Sequence, residues 1–75
     1  MEVEMIEAYS LQTGRTTIDL KEVVEYCQTL QKVSGKWHWC TNIVTRYNSR
    51  HTLLVSYDDF QEVMEAAGME AVKTF

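Results

Sequence analysis

The segment KWHWCTNIVTRY, residues 36–47, decides what kind of fold this chain can adopt. Its aromatic and β-branched residues favour a strand, on which side chains point alternately to opposite faces. Trp37 and Trp39 would then share one face, and His38 and Asn42 the other. The polar residues NSR at 48–50 predict a turn, and residues 51–55 then return as the second arm of a hairpin.

A helix follows this hairpin. Ser56 is a favourable N-cap residue, and Asp58 and Asp59 lie in the first turn, where the helix dipole favours acids. Apolar residues recur with helical spacing from Phe60 onward, and Gly68 is a suitable residue for the C-terminal end. The sequence therefore predicts a helix over residues 57–67.

The N-terminal 32 residues contain one predicted hairpin and one segment that fits two kinds of structure. Residues 3–11 alternate between apolar and acidic, QTGR at 12–15 predicts a turn, and residues 16–18 continue as a strand. Residues 19–32 fit a helix by their apolar spacing and by the capping-box pattern of Asp19 and Glu22. The composition of VVEYC within them favours a strand instead.

These elements predict a single α+β domain over residues 1–75. An antiparallel sheet of three or four strands is packed by the C-terminal helix, and residues 19–32 form a second helix or a further strand. A 75-residue domain has a small core, which favours burial of Trp37 and Trp39 beneath the helix. In the alternative interpretation, one indole faces a ligand or a partner. We also expect a homo-oligomer that covers the unpaired sheet edges.

The charge is distributed unevenly. The net charge is −4, from 11 acidic and 7 basic residues, which disfavours long nucleic acids as partners. Residues 32–51 contain no acid and hold two lysines and two arginines. No segment approaches the roughly 20 apolar residues of a membrane helix, and residues 1–4 lack the features of a signal peptide. We therefore expect no membrane partner and a cytoplasmic protein, in the host cytoplasm if the source is viral.

The basic, aromatic segment is the best candidate for a binding site. Indoles stack on nucleobases, and arginine binds phosphate through paired hydrogen bonds. The candidate ligand-binding residues are Trp37, His38, Trp39, Asn42, Arg46 and Arg50. Cys27, Cys40 and the two histidines lack the spacing of a zinc site, and no catalytic constellation is apparent. We therefore expect no metal, no cofactor and no enzymatic activity.

Two stretches, LQTGRTTIDLKEVVEY at 11–26 and RHTLLVSYDDFQEVMEA at 50–66, lie on either side of a strand pair. This order resembles the small FlbD-like proteins of flagellar operons and many short phage proteins. Ile18, Asp19, Val23 and Tyr26 match the middle of that pattern, and residues 55–63 match its last element. The resemblance implies that residues 22–28 are extended, and it supplies no catalytic residues.

In size, acidity and its short aromatic, cationic segment, the chain is also similar to small oligomeric phage proteins that sequester cyclic nucleotides of bacterial immunity. That likeness implies a non-enzymatic protein that captures a phosphate-containing ligand, such as a cyclic signalling nucleotide, at a subunit interface, as a phage anti-defence sponge does. The alternative is a protein–protein adaptor or inhibitor that acts through the acidic helix face formed by Asp58, Asp59, Glu62 and Glu65.

Overall fold

The computed structural model describes residues 4–69 and 71–74, which form one mixed sheet and one α-helix. The elements are β1 (Met5–Ser10), β2 (Gly14–Asp19), a 3₁₀ turn (Leu20–Glu22), β3 (Val23–Val33), β4 (Lys36–Thr45), β5 (Arg50–Leu53), α1 (Tyr57–Ala66) and β6 (Val72–Thr74). The sheet order is β2-β1-β5-β4-β3-β6. Strands β1 to β5 pair with one another in antiparallel fashion, and β6 runs parallel to β3.

The α+β class with a C-terminal helix is confirmed, but the predicted count of three or four strands is too low. The antiparallel part has five strands, because residues 23–33 form one of them, and β6 adds a short parallel edge. None of the helices in the described residues is long and apolar enough to cross a membrane.

The helical interpretation of residues 19–32 is wrong, and the structure shows why the spacing misled. Asp19 does act as a cap, since its carboxylate accepts a hydrogen bond from the Lys21 amide at 3.0 Å, but the helix it starts lasts a single 3₁₀ turn. The register of β3 against β4 then shifts between Val23 and Glu25, as in a β-bulge. Leu20, Val23 and Tyr26 are consequently all buried at intervals of three residues, which imitates the spacing of a helix.

The helix α1 covers one side of the sheet, which we call the helix-side face. Phe60 and Met64 are fully buried there, and the Phe60 ring meets the Tyr26 ring edge-on with centroids 5.0 Å apart. The opposite side of the sheet, called the open face, has no helix over it within the part of the chain that the structure describes. The buried core consists of Ile18, Leu20, Val23, Tyr26, Ile43, Leu53, Tyr57, Phe60 and Met64.

Both ends of α1 follow the signals in the sequence. The Ser56 hydroxyl accepts a hydrogen bond from the Asp59 amide at 3.2 Å. At the other end Gly68 has a φ of +70°, and the Met69 amide donates to the Met64 carbonyl at 3.0 Å, the pattern of a Schellman C-cap. The prediction of a helix over residues 57–67 is confirmed to within one residue.

β3 and β4 continue well beyond the rest of the sheet. β6 pairs with β3 only at residues 25–27, and β5 pairs with β4 only at residues 41–44. Within the described residues, strands 28–33 and 36–40 therefore pair only with each other, and we call residues 28–40 the ribbon. Ser34 and Gly35 have φ of +52° and +82°, as in a type I′ hairpin turn. The ribbon helps to make the molecule 41 Å long but only 23 Å and 21 Å across.

Candidate functional site

The two tryptophans are exposed, and the prediction that they lie beneath the helix is wrong. Trp37 is 63% exposed and Trp39 is 57% exposed. Both lie on the helix-side face, as does Ile43, but they belong to the ribbon, which extends past α1. Leu30 is the cross-strand partner of Trp39, and the Lys32 ammonium lies 5.9 Å from the centroid of the Trp37 ring. The indoles are therefore available to solvent or to a partner.

The structure divides the other candidate ligand residues between separate places. His38 alternates with the tryptophans and so lies on the open face of the ribbon, where it is exposed. Arg46 lies beyond the end of β4, exposed, with its amide donating to the Glu22 carbonyl at 2.8 Å. Only Asn42 and Arg50, of the six predicted residues, line the same cavity.

That cavity is a groove of about 300 Å³ on the open face, across β3, β4 and β5. The strand register arranges six of its lining residues in two parallel rows. One row is Glu25, Val44 and Arg50, and the next is Cys27, Asn42 and Thr52. Because neighbouring strands lie about 4.8 Å apart, the outer residues of a row are roughly 10 Å apart at their Cα atoms. We call this cavity the open-face groove.

A chain of hydrogen bonds fixes the polar side of the open-face groove. The Gln12 carbonyl oxygen Oε1 accepts from the Thr52 amide at 2.7 Å, and Gln12 Nε2 donates to the Thr52 hydroxyl at 3.0 Å. The Thr52 hydroxyl in turn donates to Asn42 Oδ1 at 2.6 Å. Asn42 is thereby held with its oxygen toward Thr52. Its nitrogen has no acceptor among the described residues, so both of its N–H donors are available to a ligand.

A serine–histidine pair lies beside the groove, but its surroundings give it a structural role. Ser10 Oγ and His51 Nδ1 are 3.2 Å apart. Ser10 has no exposed surface, and its hydroxyl also donates to Gln12 Oε1 at 3.1 Å. A substrate cannot reach a hydroxyl that is fully enclosed, so the pair supports Gln12 rather than forming a nucleophile and its base.

The two cysteines are both free thiols. Cys27 is half-buried and lines the open-face groove. Cys40 is fully buried, burial raises the pKa of its thiol, and its sulfur donates to the His38 carbonyl at 3.6 Å. Across residues 4–69 and 71–74, no three or more His, Cys, Asp or Glu side chains are grouped so as to hold a metal ion.

Sequence reasoning missed Gln12, Glu25 and Thr52, which complete the groove around Asn42 and Arg50. They come from three separate parts of the chain, and no local motif connects them.

No protein-family profile matches the chain, and comparisons with curated proteins and with solved structures find no match.

Proposed function

We propose that this chain is a non-enzymatic binding protein that captures a small anionic ligand in the open-face groove. A phosphate-containing ligand, with a cyclic signalling nucleotide as the leading case, fits the groove best. The observation that supports this most strongly is the position of Arg50 at one end of a cavity of about 300 Å³ whose other wall is a fixed polar network. Cavities of roughly 300–1,000 Å³ are the usual size of small-molecule sites.

Arg50 supplies the attraction for the anion. Its side chain is exposed, and no carboxylate of the described residues forms an ion pair with it. A guanidinium without an internal partner can bind a phosphate through two parallel N–H···O bonds. Capture by Arg50 therefore requires no existing ion pair to be broken.

The opposite end of the groove has the character needed for a nucleobase. Glu25 stands across Val44 from Arg50 in the same row. A carboxylate accepts hydrogen bonds from base N–H groups and repels phosphate, whereas the Asn42 amide donates to base carbonyl or ring nitrogen atoms. A ligand with a phosphate at one end and a base about 10 Å away satisfies both ends. The net charge of −4 opposes the binding of a long polynucleotide.

Capture without conversion is the role that this arrangement supports. The groove contains an acceptor, donors and one cation, but its nearest hydroxyl–histidine pair is enclosed at Ser10. A protein of this kind acts by lowering the free concentration of its ligand. The open-face groove lies within one protomer, so this proposal differs from the subunit-interface site that the sequence led us to expect.

The test is an NMR titration of the protein with cyclic dinucleotides and with mononucleotides. We expect amide shifts centred on Asn42, Arg50 and Thr52, and at least about a tenfold loss of affinity in Arg50→Ala. Arg46→Ala is the matched control, because it removes the same charge from an exposed position outside the groove. Absence of binding at millimolar nucleotide, or equal losses in both variants, would contradict the proposal.

A second candidate is the adaptor or inhibitor that acts through the acidic helix face. Asp58, Asp59, Glu62 and Glu65 are all exposed, and α1 contains no basic residue. This candidate predicts salt-sensitive binding of a lysine-rich peptide to α1 that is lost in Glu62→Gln/Glu65→Gln and unaffected by nucleotides. A peptide that binds equally well to the variant would eliminate it.

A further inference from the structure

The helix-side surface of the ribbon is rich in large apolar side chains, and no helix or further strand of residues 4–69 and 71–74 covers it. Trp37 and Trp39 extend the row that contains the buried Thr41 and Ile43 on the helix-side face. Leu30, 44% exposed, adds to the same surface from the neighbouring strand. We call these three side chains the indole patch. Contiguous exposed apolar surface of this kind marks an interaction site, and tryptophan dominates the energetics of such sites.

The ribbon also lacks support in a single chain. Among the described residues it has two strands only, because β6 pairs with β3 at residues 25–27 and β5 pairs with β4 at residues 41–44. A two-stranded hairpin alone is marginally stable in water. Its type I′ turn makes Val33 and Lys36 the hydrogen-bonded pair that closes the hairpin. By alternation, the pairs Lys32–Trp37 and Leu30–Trp39 are non-hydrogen-bonded pairs. In such pairs the side chains of opposite strands lie closest. The side chains of the indole patch therefore lie close together, on a ribbon that a partner would stabilise.

Charge distinguishes which partner fits this surface. The ribbon, residues 28–40, carries Lys32 and Lys36 and no acid. The helix α1, on the same face of the sheet, carries four exposed acids and no base. A second copy laid antiparallel on the indole patch brings its basic ribbon tip to this acidic helix, and the same contact recurs by symmetry. A surface that is complementary to itself in this way is what a twofold dimer requires.

We propose that two copies of this chain dimerise through their ribbons. The indole patches pack on each other, and Lys32, which lies on the same side of the ribbon as the indoles, lies against Glu62 and Glu65 of the other copy. Lys36 starts from the opposite side of the ribbon, next to the turn, and adds positive charge at the tip. The three patch side chains expose roughly 350 Å² per copy, taking about 250 Å² for a whole tryptophan. A standard interface buries about 800 Å² per partner, so the tip–helix contacts supply much of the remaining area. The open-face groove stays outside this interface, because it lies on the opposite side of the sheet.

Sedimentation equilibrium of the purified chain tests the proposal. We expect twice the chain mass of 8.8 kDa, with dissociation favoured by high salt. Trp37→Ser/Trp39→Ser should raise the dimer Kd at least about 100-fold. The matched control is Tyr9→Ser/Tyr47→Ser, which removes two aromatics that are also exposed, 53% and 67%, but lie off the ribbon. A chain that is monomeric at all concentrations, or a dimer insensitive to the tryptophan change, overturns the proposal.

A charge-swap experiment tests the arrangement independently of the tryptophans. Lys32→Glu/Lys36→Glu and Glu62→Lys/Glu65→Lys should each weaken their own homodimer about tenfold or more. An equimolar mixture should form a heterodimer as tight as the wild type, because both tip–helix contacts are attractive again in the mixture. Circular dichroism of each variant confirms that it is folded. Failure of the mixture to recover overturns the proposal, as does a monomer whose indole fluorescence is quenched by a single-stranded oligonucleotide.

Discussion

The side chain of Gln12 makes a hydrogen bond to β5 that the backbone of a longer β1 would otherwise make. Its removal tests what stabilises the polar side of the open-face groove. β1 pairs with β5 at a single position, Ser10 opposite Leu53. Beyond it, the Leu11 amide still donates to the Thr52 carbonyl at 2.9 Å, but the Thr52 amide donates to Gln12 Oε1 at 2.7 Å. The side chain thus completes the hydrogen bonding that the backbone of β1 no longer provides.

Gln12→Ala should lower the free energy of unfolding by about 2 kcal/mol. The change leaves the amide of the buried Thr52 without its acceptor, which costs about 1–3 kcal/mol. It also removes the bond from Gln12 Nε2 to the Thr52 hydroxyl at 3.0 Å. Since Gln12 is itself exposed, water can reach part of the vacated site, and the loss stays near the middle of that range. A domain of this size would melt about 10 °C lower.

The measurement is urea unfolding followed by far-ultraviolet circular dichroism at one fixed protein concentration. Tryptophan fluorescence is a poor probe, because both indoles are more than half exposed in a single chain and their signal in the proposed dimer would report dissociation as well as unfolding. Gln31→Ala is the control. Within the described residues, the Gln31 side chain makes one hydrogen bond, to the Thr29 hydroxyl at 3.0 Å on the ribbon, and its loss should cost at most about 0.5 kcal/mol. Gln12→Glu keeps an acceptor and should lose about half as much as Gln12→Ala. Equal stabilities for Gln12→Ala and Gln31→Ala would refute the reasoning.

Three further predictions follow from buried or capping groups. Burial raises the pKa of Tyr26 above its ordinary 10.0, and the nearby Tyr57 and Glu65 raise it further. The contribution of the neutral Tyr26 side chain to stability is therefore complete below pH 10 and is lost as the pH rises further. Tyr26→Phe should reduce this alkaline loss without lowering stability at pH 7, since the hydroxyl has no hydrogen-bond partner among the described residues. Urea unfolding at pH 7 and at a pH above 10 measures both effects. Ellman's reagent should modify Cys27 at least tenfold faster than the enclosed Cys40, and equal rates in Cys27→Ser and Cys40→Ser would show that Cys40 is not protected. Ser56→Ala should cost about 1 kcal/mol in urea unfolding by removing the N-cap of α1, and a loss below about 0.3 kcal/mol would contradict the capping role.

The sequence by itself determined the elements whose signals are local. The strand at 36–45, the glycine turn before β2 and both ends of α1 depend on side-chain alternation, capping and φ preference, which act within a few residues. The same reasoning fails for residues 19–32, where the apolar spacing fitted a helix and the structure has a 3₁₀ turn and a strand. A 3₁₀ turn followed by a register shift spaces Leu20, Val23 and Tyr26 as a helix would, and apolar spacing alone cannot separate the two.

Only the tertiary structure decided which residues of the candidate site meet. Alternation correctly placed the indoles and Asn42 on opposite faces of the sheet. It could not show that α1 leaves Trp39 uncovered, or that β5 places Arg50 in one row with Val44 and Glu25. Those facts depend on the lengths and registers of strands far apart in the chain. The energy that sets them comes from burying Phe60, Ile43 and Leu53 together, a long-range packing term that no short segment contains.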